Sequence, residues 1–152
     1  MSKKIFIASD HAGLDYKNKV KEYLINNNFE VVDFGNSLYN DLDDYPDFLH
    51  EAGRALSLNN EDSLSIVFGG SGVGESVLMN RYKKVRCLPV FINDVETILK
   101  SSEHDNINAI AIGARFLKDS ALLDVVDAFL RQKKVSGEKY IRRIRKIDNV
   151  LL

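Results

Sequence analysis

A single carboxylate, Glu75, closes a loop in which four of six consecutive residues are glycine: Gly69, Gly70, Ser71, Gly72, Val73 and Gly74. Glycines at that density let backbone N–H groups turn together toward an anion. They do so best where a helix begins and its dipole adds to their pull. An acid beside such donors has a specific use. Removing a proton next to a carbonyl makes an enediolate, an oxyanion that wants preorganised N–H donors. The same step needs a base within hydrogen-bond reach of the carbon. This loop would supply both. An unperturbed glutamate, with a pKa of about 4.3, is a weak base at neutral pH, so its surroundings are expected to raise that value. Two plainer readings stand beside this one: a tight strand-to-helix turn, and an acid offsetting a helix dipole, worth about 0.3–1 kcal/mol. Nucleotides fit less well. The lysine of the GxxxxGK[ST] phosphate loop is missing, and the glycine intervals depart from the dinucleotide fingerprint.

Two further loops carry polar signals. In "SDHAG" (9–13), Asp10 and His11 could hold sugar hydroxyls or a ring oxygen, while Ser9 or Asp10 could instead cap the next helix. "GAR" (113–115) ends on Arg115. The run "RRIRK" (142–146), which includes Arg143, reads either as a solvated helix face or as guanidinium forks offered to a phosphate. His11, His50 and His104 lie far apart and make no metal-ligand spacing; His50 reads as a surface residue. The lone Cys87 falls within an apolar run and reads as a small buried hydrophobe.

The elements that must position these loops alternate. Apolar runs at 3–9, 30–35, 63–70, 86–92 and 108–114 read as buried parallel strands. Pro89 in the fourth predicts an edge or a strand end. Between them, 14–28, 45–58, 73–81 and 94–102 read as helices, followed by an amphipathic stretch at 120–131 and a basic helix in the tail. Pro46 suits the first turn of the second helix because it needs no donor there. Such alternation predicts a Rossmann-like α/β fold, a three-layer α/β/α domain whose post-strand loops converge on one edge. Single-domain organisation over residues 1–152 follows from the length.

Composition narrows the partners. A net charge of −1 gives no electrostatic case for nucleic acid or an anionic membrane. No apolar run approaches the roughly 18 residues of a membrane span, and the N-terminus lacks a signal-peptide core. One cysteine excludes an internal disulfide and fits a reducing cytosol. A cytoplasmic, metal-free protein is the expectation.

Taken in order, "SDHAG" (9–13), "DYPDF" (44–48), "GGSGVGES" (69–76), "EHDNINAIAIGAR" (103–115) and "RRIRKI" (142–147) resemble the sugar-phosphate isomerases of the ribose-5-phosphate isomerase type B and galactose-6-phosphate isomerase family. The likeness runs through nearly the whole chain. It implies a five-stranded parallel sheet, a homodimer (or tetramer) with active sites built from two subunits, and no cofactor or metal. It also implies that the C-terminal helix reaches the dimer partner. Much of the family carries a cysteine base just before the glycine loop; that position here is Gly69, and Glu75 matches the branch that uses glutamate. The resemblance then makes Glu75 the base and His104 the ring-opening acid. Gly70, Ser71, Gly72, Val73 and Gly74 would bind the enediolate and substrate, with Asp10, His11 and Tyr45 lining the site. Arg115 and Arg143 would lie on the phosphate side. The family's His-Asn-Asp is here His104-Asp105-Asn106, which places Asp105 at a substrate-contacting position. Its "GGRH" is here Gly137-Glu138-Lys139-Tyr140, so Lys139 replaces a phosphate-binding arginine.

The implied activity is interconversion of D-ribose 5-phosphate and D-ribulose 5-phosphate through a cis-enediolate. Alternatives are an isomerase of galactose 6-phosphate, allose 6-phosphate or a tetrose phosphate, and a sugar-phosphate-binding subunit without catalysis. A nucleotide-binding module comes last.

Overall fold

The computed structural model describes residues 3–150. Strand and helix alternate as the hydrophobic runs require. In chain order they are β1 (Lys4–Ser9), α1 (Leu14–Asn26), β2 (Glu30–Asp33), α2 (Tyr45–Leu58), β3 (Ser63–Gly69) and α3 (Val73–Met79). There follow β4 (Cys87–Val90), α4 (Val95–Asp105), β5 (Ala109–Gly113), a 3-10 turn (Asp119–Ala121), α5 (Leu122–Leu130) and α6 (Glu138–Asp148). All pairings are parallel, in the order β2-β1-β3-β5-β4. This is the expected five-stranded sheet.

Alternation along each strand divides the core into two. Ile5 and Ile7, Ile66 and Phe68, and Ile110 and Ile112 face one side, where they pack with α1, α4 and α5. Phe6 and Ala8, Val67, and Ala109 and Ala111 face the other, against Leu49, Ala52 and Leu56 of α2 and Met79 of α3. Period-two burial with apolar residues on both faces is what a sheet covered on both sides must show. Three layers result.

Pro89 sits where its missing donor costs least, in β4 at the sheet edge. The amide of Asn80 anchors that strand from the end of α3, donating to the Cys87 carbonyl at 2.9 Å and accepting its N–H at 2.8 Å. Several boundaries differ from the sequence reading, those of α3, α4 and α5 among them. α3 stops at Met79, because Asn80 turns to make those bonds. α4 begins after Asp94, whose carboxylate caps Thr97 N–H at 3.0 Å, and runs on through Asp105. A 3-10 turn precedes α5. α6 is anchored at its middle and its C-terminal end: Ile144 is buried, and Arg86 joins Asp148 (2.9 Å) to the Asn106 carbonyl (2.8 Å). Among the described residues no helix is long and apolar enough to cross a membrane.

The strand order decides where a site can form. From β1 the chain moves outward to β2, then crosses back past β1 to β3. Loops leaving β1 and β3 therefore diverge to opposite faces and open a crevice at their carboxyl ends, where ligands bind in open α/β sheets.

Candidate active site

At that crevice the structure gathers the two most suggestive loops. A cleft of about 440 Å³ is lined by Asp10, His11 and Ala12 after β1, Tyr45 at the start of α2, Gly70, Ser71 and Glu75 around the β3–α3 turn, and Arg115 and Phe116 after β5. Its volume suits a small ligand. Gly72 turns the loop with φ of +77°, and a Cβ there would lie 2.5 Å from the Ala111 carbonyl oxygen, so only glycine fits. Val73 and Gly74 follow in the first turn of α3. The Val73 N–H is held by Ser71 Oγ at 3.2 Å, whereas first-turn N–H groups in general lack an intrahelical acceptor.

Glu75 is 3% exposed, and its Oε2 has no hydrogen-bond partner among the described residues. Room for the carboxylate comes from Gly69: a Cβ at that residue would lie 1.7 Å from Glu75 Oε1. Burial pushes the Glu75 carboxyl above its ordinary range. The charge of Asp10 adds to the rise, against the pull of the Glu75 and Gly72 N–H groups and of Arg115. A carboxylate so placed is a stronger base than a solvated one. Arg115 lies over Gly70, its Nη1 only 3.2 Å from where a Cβ would stand.

Asp10 is buried and accepts the Gly13 N–H at 3.2 Å, without capping α1 itself. His11 is pinned by Asp43, to which it presents both its backbone N–H (3.1 Å) and its ring Nδ1 (2.6 Å). Asp10, His11 and Asp43 each bring a potential ligand atom within 4.8 Å of the others. Both Asp43 oxygens are engaged, however, by His11 and by Asn36, so the trio reads as a hydrogen-bonded support. Sequence reasoning missed Asp43. It lies among four acids between 41 and 47, and nothing local distinguishes it from Asp41, Asp44 or Asp47.

The remaining residues fall elsewhere on the protomer. His104 and Asp105 end α4, and Lys139 and Arg143 lie on α6; none of the four lines the cleft. His104 stacks on Tyr140, ring centroids 4.3 Å apart and planes 9° from parallel, and Lys139 Nζ lies 4.9 Å from the centre of the same ring. Arg143 thus does not join Arg115 at the cleft of this chain. His50 is exposed and bonded to the Tyr82 hydroxyl. Cys87 is buried, which pushes its thiol far up and leaves it unreactive.

A family model described as Ribose/Galactose Isomerase matches residues 5–147. The chain is 37% identical to a probable ribose-5-phosphate isomerase B of Mycoplasma genitalium, covering 97% of this chain and 95% of that protein. A crystal structure of ribose-5-phosphate isomerase B from the same organism, with bound ribulose-5-phosphate, superposes with a TM-score of 0.90 at 37% identity, over 97% of this chain and 95% of that one. A ribose 5-phosphate isomerase structure from Thermotoga maritima gives a TM-score of 0.87 at 34% identity, over 99% and 100% of the two chains.

Proposed function

The chain belongs to the ribose/galactose isomerase family, and from that premise we propose that it interconverts D-ribose 5-phosphate and D-ribulose 5-phosphate with Glu75 as the base. The observation that carries the assignment is the buried Glu75 carboxylate at the switch-point cleft, whose Oε2 has no partner among the described residues. On the open-chain aldose, Glu75 takes the proton from C2. Electrons move to O1, giving a cis-enediolate. Delivery of a proton to C1 from the Glu75 carboxyl, which exchanges with solvent, and transfer of the hydroxyl proton from O2 to O1 leave the ketose. Arg115 and the loop N–H groups face the developing negative charge, a stabilisation most effective in a partly dry site. Asp10, His11, Tyr45 and Ser71 hold the sugar.

His104 opens the ring, and Lys139 and Arg143 meet the phosphate, from a second copy of this chain. Their separation from the cleft within one protomer supports that reading, as does α6, whose basic face stays outward while Ile144 packs inward. Asp105 stands at the substrate's edge in the same arrangement. The working unit is therefore a homodimer with shared sites in the cytosol, where a single buried thiol has no partner to oxidise with.

Ribose 5-phosphate mixed with the protein in D₂O tests this directly by NMR. The expected result is ribulose 5-phosphate carrying deuterium at C1, with deuterium appearing at C2 of the aldose on return. Binding with neither ribulose 5-phosphate formed nor deuterium at either carbon overturns the assignment.

A further inference from the structure

His11 enters the cleft with one ring nitrogen already committed. Asp43 Oδ1 lies 2.6 Å from His11 Nδ1 and also accepts the His11 backbone N–H at 3.1 Å. The Asp43 side chain is only 7% exposed, and its Oδ2 accepts from Asn36 Nδ2 at 2.6 Å. An ionised carboxylate can only accept, so the proton in the ring contact sits on Nδ1. We propose that Asp43 is a positioning residue for the isomerase: it holds His11 in the Nδ1–H tautomer and leaves Nε2 as the acceptor for a sugar hydroxyl. The inference rests on the reading above, in which His11 touches the substrate.

What makes Asp43 a fixed support is the polarity of everything around it. Asn36 cannot turn its amide over: Nδ2 also donates to the Leu38 carbonyl (2.8 Å), and Oδ1 accepts from Ser9 Oγ (3.3 Å). The Asn36 carbonyl is in turn held at 2.6 Å by Lys17 Nζ, a fully buried ammonium that pairs with Asp33 at 2.7 Å. Donors therefore converge on Asp43 from both sides. Tyr39, from the same 36–43 segment, packs edge-on to the His11 ring at 5.8 Å between centroids. A ring so bounded has one orientation and one tautomer, the condition under which a histidine discriminates between accepting and donating.

An amide at residue 43 cannot satisfy this site. Asp43→Asn offers one acceptor and one donor where the surroundings present donors on both sides. It must either drop Asn36 or turn an NH₂ toward His11, which favours the opposite tautomer and meets the backbone N–H. The first measurement needs no variant. Long-range ¹H–¹⁵N correlation on the ¹⁵N-histidine-labelled protein should show His11 protonated on Nδ1; a predominant Nε2–H tautomer overturns the proposal. In Asp43→Asn, kcat/KM should fall on the order of 10²-fold, as for a misplaced contact group. In a His11→Ala background the same change should cost no more than about twofold. An equal loss in both backgrounds means that Asp43 acts other than through His11, and the proposal fails. If His11→Ala alone leaves turnover intact, the underlying reading of His11 fails and the proposal goes with it. A loss in His11→Ala without the tautomer bias removes the proposal alone. Should Asp43→Asn not fold, the wild-type tautomer still decides.

Discussion

The carboxylate of Glu75 fills the space that a side chain on Gly69 would need. A Cβ at 69 would stand 1.7 Å from Oε1 and 2.1 Å from Cδ. Residues 69 and 75 therefore exclude one another: a side chain before the glycine loop and a carboxylate turned back from the first turn of α3 cannot share this pocket. In this chain the geometry shows how Gly69, at the position where the family resemblance implies a cysteine, makes room for Glu75.

Gly69→Ala tests that exclusion. The methyl group must expel the carboxylate, because the backbone of β3 is fixed by pairing on both sides. Turnover should fall by roughly 10²-fold or more, the scale of a general base moved out of reach. Substrate binding should change far less. Near-normal kcat in a folded Gly69→Ala protein would show that Glu75 is not working from its buried position.

Glu75→Gln should cost about 10²–10⁴-fold in turnover while raising stability at neutral pH. The sign follows from burial. The folded carboxyl is raised above its ordinary range, first by burial and then by the charge of Asp10, so folding favours the protonated form. That contribution is complete below about pH 4.5 and is lost as pH rises through the folded pKa. Urea midpoints for the two proteins should thus agree in acid and separate in favour of Glu75→Gln toward pH 8. Over the same interval the wild-type kcat should climb with pH as the base ionises, along a limb lying above 4.5. Parallel midpoints at all pH values would contradict a raised carboxyl.

Lys17→Met should destabilise the protein by about 3–5 kcal/mol, the cost of breaking a buried pair from one side. Lys17 is fully buried, and its loss strands the Asn36 carbonyl and leaves Asp33 Oδ1 with the Gly35 N–H as its one remaining donor. Burial alone would push Asp33 up, but the Lys17 and Lys21 ammonium groups and the Gly35 N–H together hold it below its ordinary range. Its contribution is present above the unfolded value and vanishes as pH falls through the folded pKa. The difference between wild type and variant in denaturant unfolding should therefore narrow in strong acid, leaving the part due to the Asn36 carbonyl. A midpoint unchanged at pH 7 would contradict the role assigned to Lys17.

Shared sites predict recovery by mixing. Glu75→Gln and His104→Asn proteins, each nearly inactive, should regain activity when unfolded and refolded together. A mixed two-fold dimer has one site carrying both changes and one carrying neither, so random pairing restores roughly a quarter of wild-type activity. No recovery, with mixed dimers demonstrably present, would place His104 in the same protomer's site or outside it.

Much of this was legible in the residues alone. Apolar runs of strand length, separated by helical periodicity, dictated a parallel sheet covered on both faces, because only that arrangement buries every run. The density of glycine before Glu75 marked a sharp strand-to-helix turn beside an acid, and Gly72 takes a positive φ there. Pro89 announced an edge or a strand end through its missing N–H, and the sheet order makes β4 an edge strand. What the residues left open was which loops would meet. That depends on strand order, and no local pattern records that the chain crosses past β1 on its way from β2 to β3. Only the tertiary structure decides that Asp43 reaches His11 and that Lys17, one lysine among several on α1, is the buried one. Only there, too, does the missing Cβ of Gly69 become the pocket for Glu75, while His104 and Arg143 lie away from the cleft. Periodicity encodes which face is buried; contact between distant segments is a property of the packed whole.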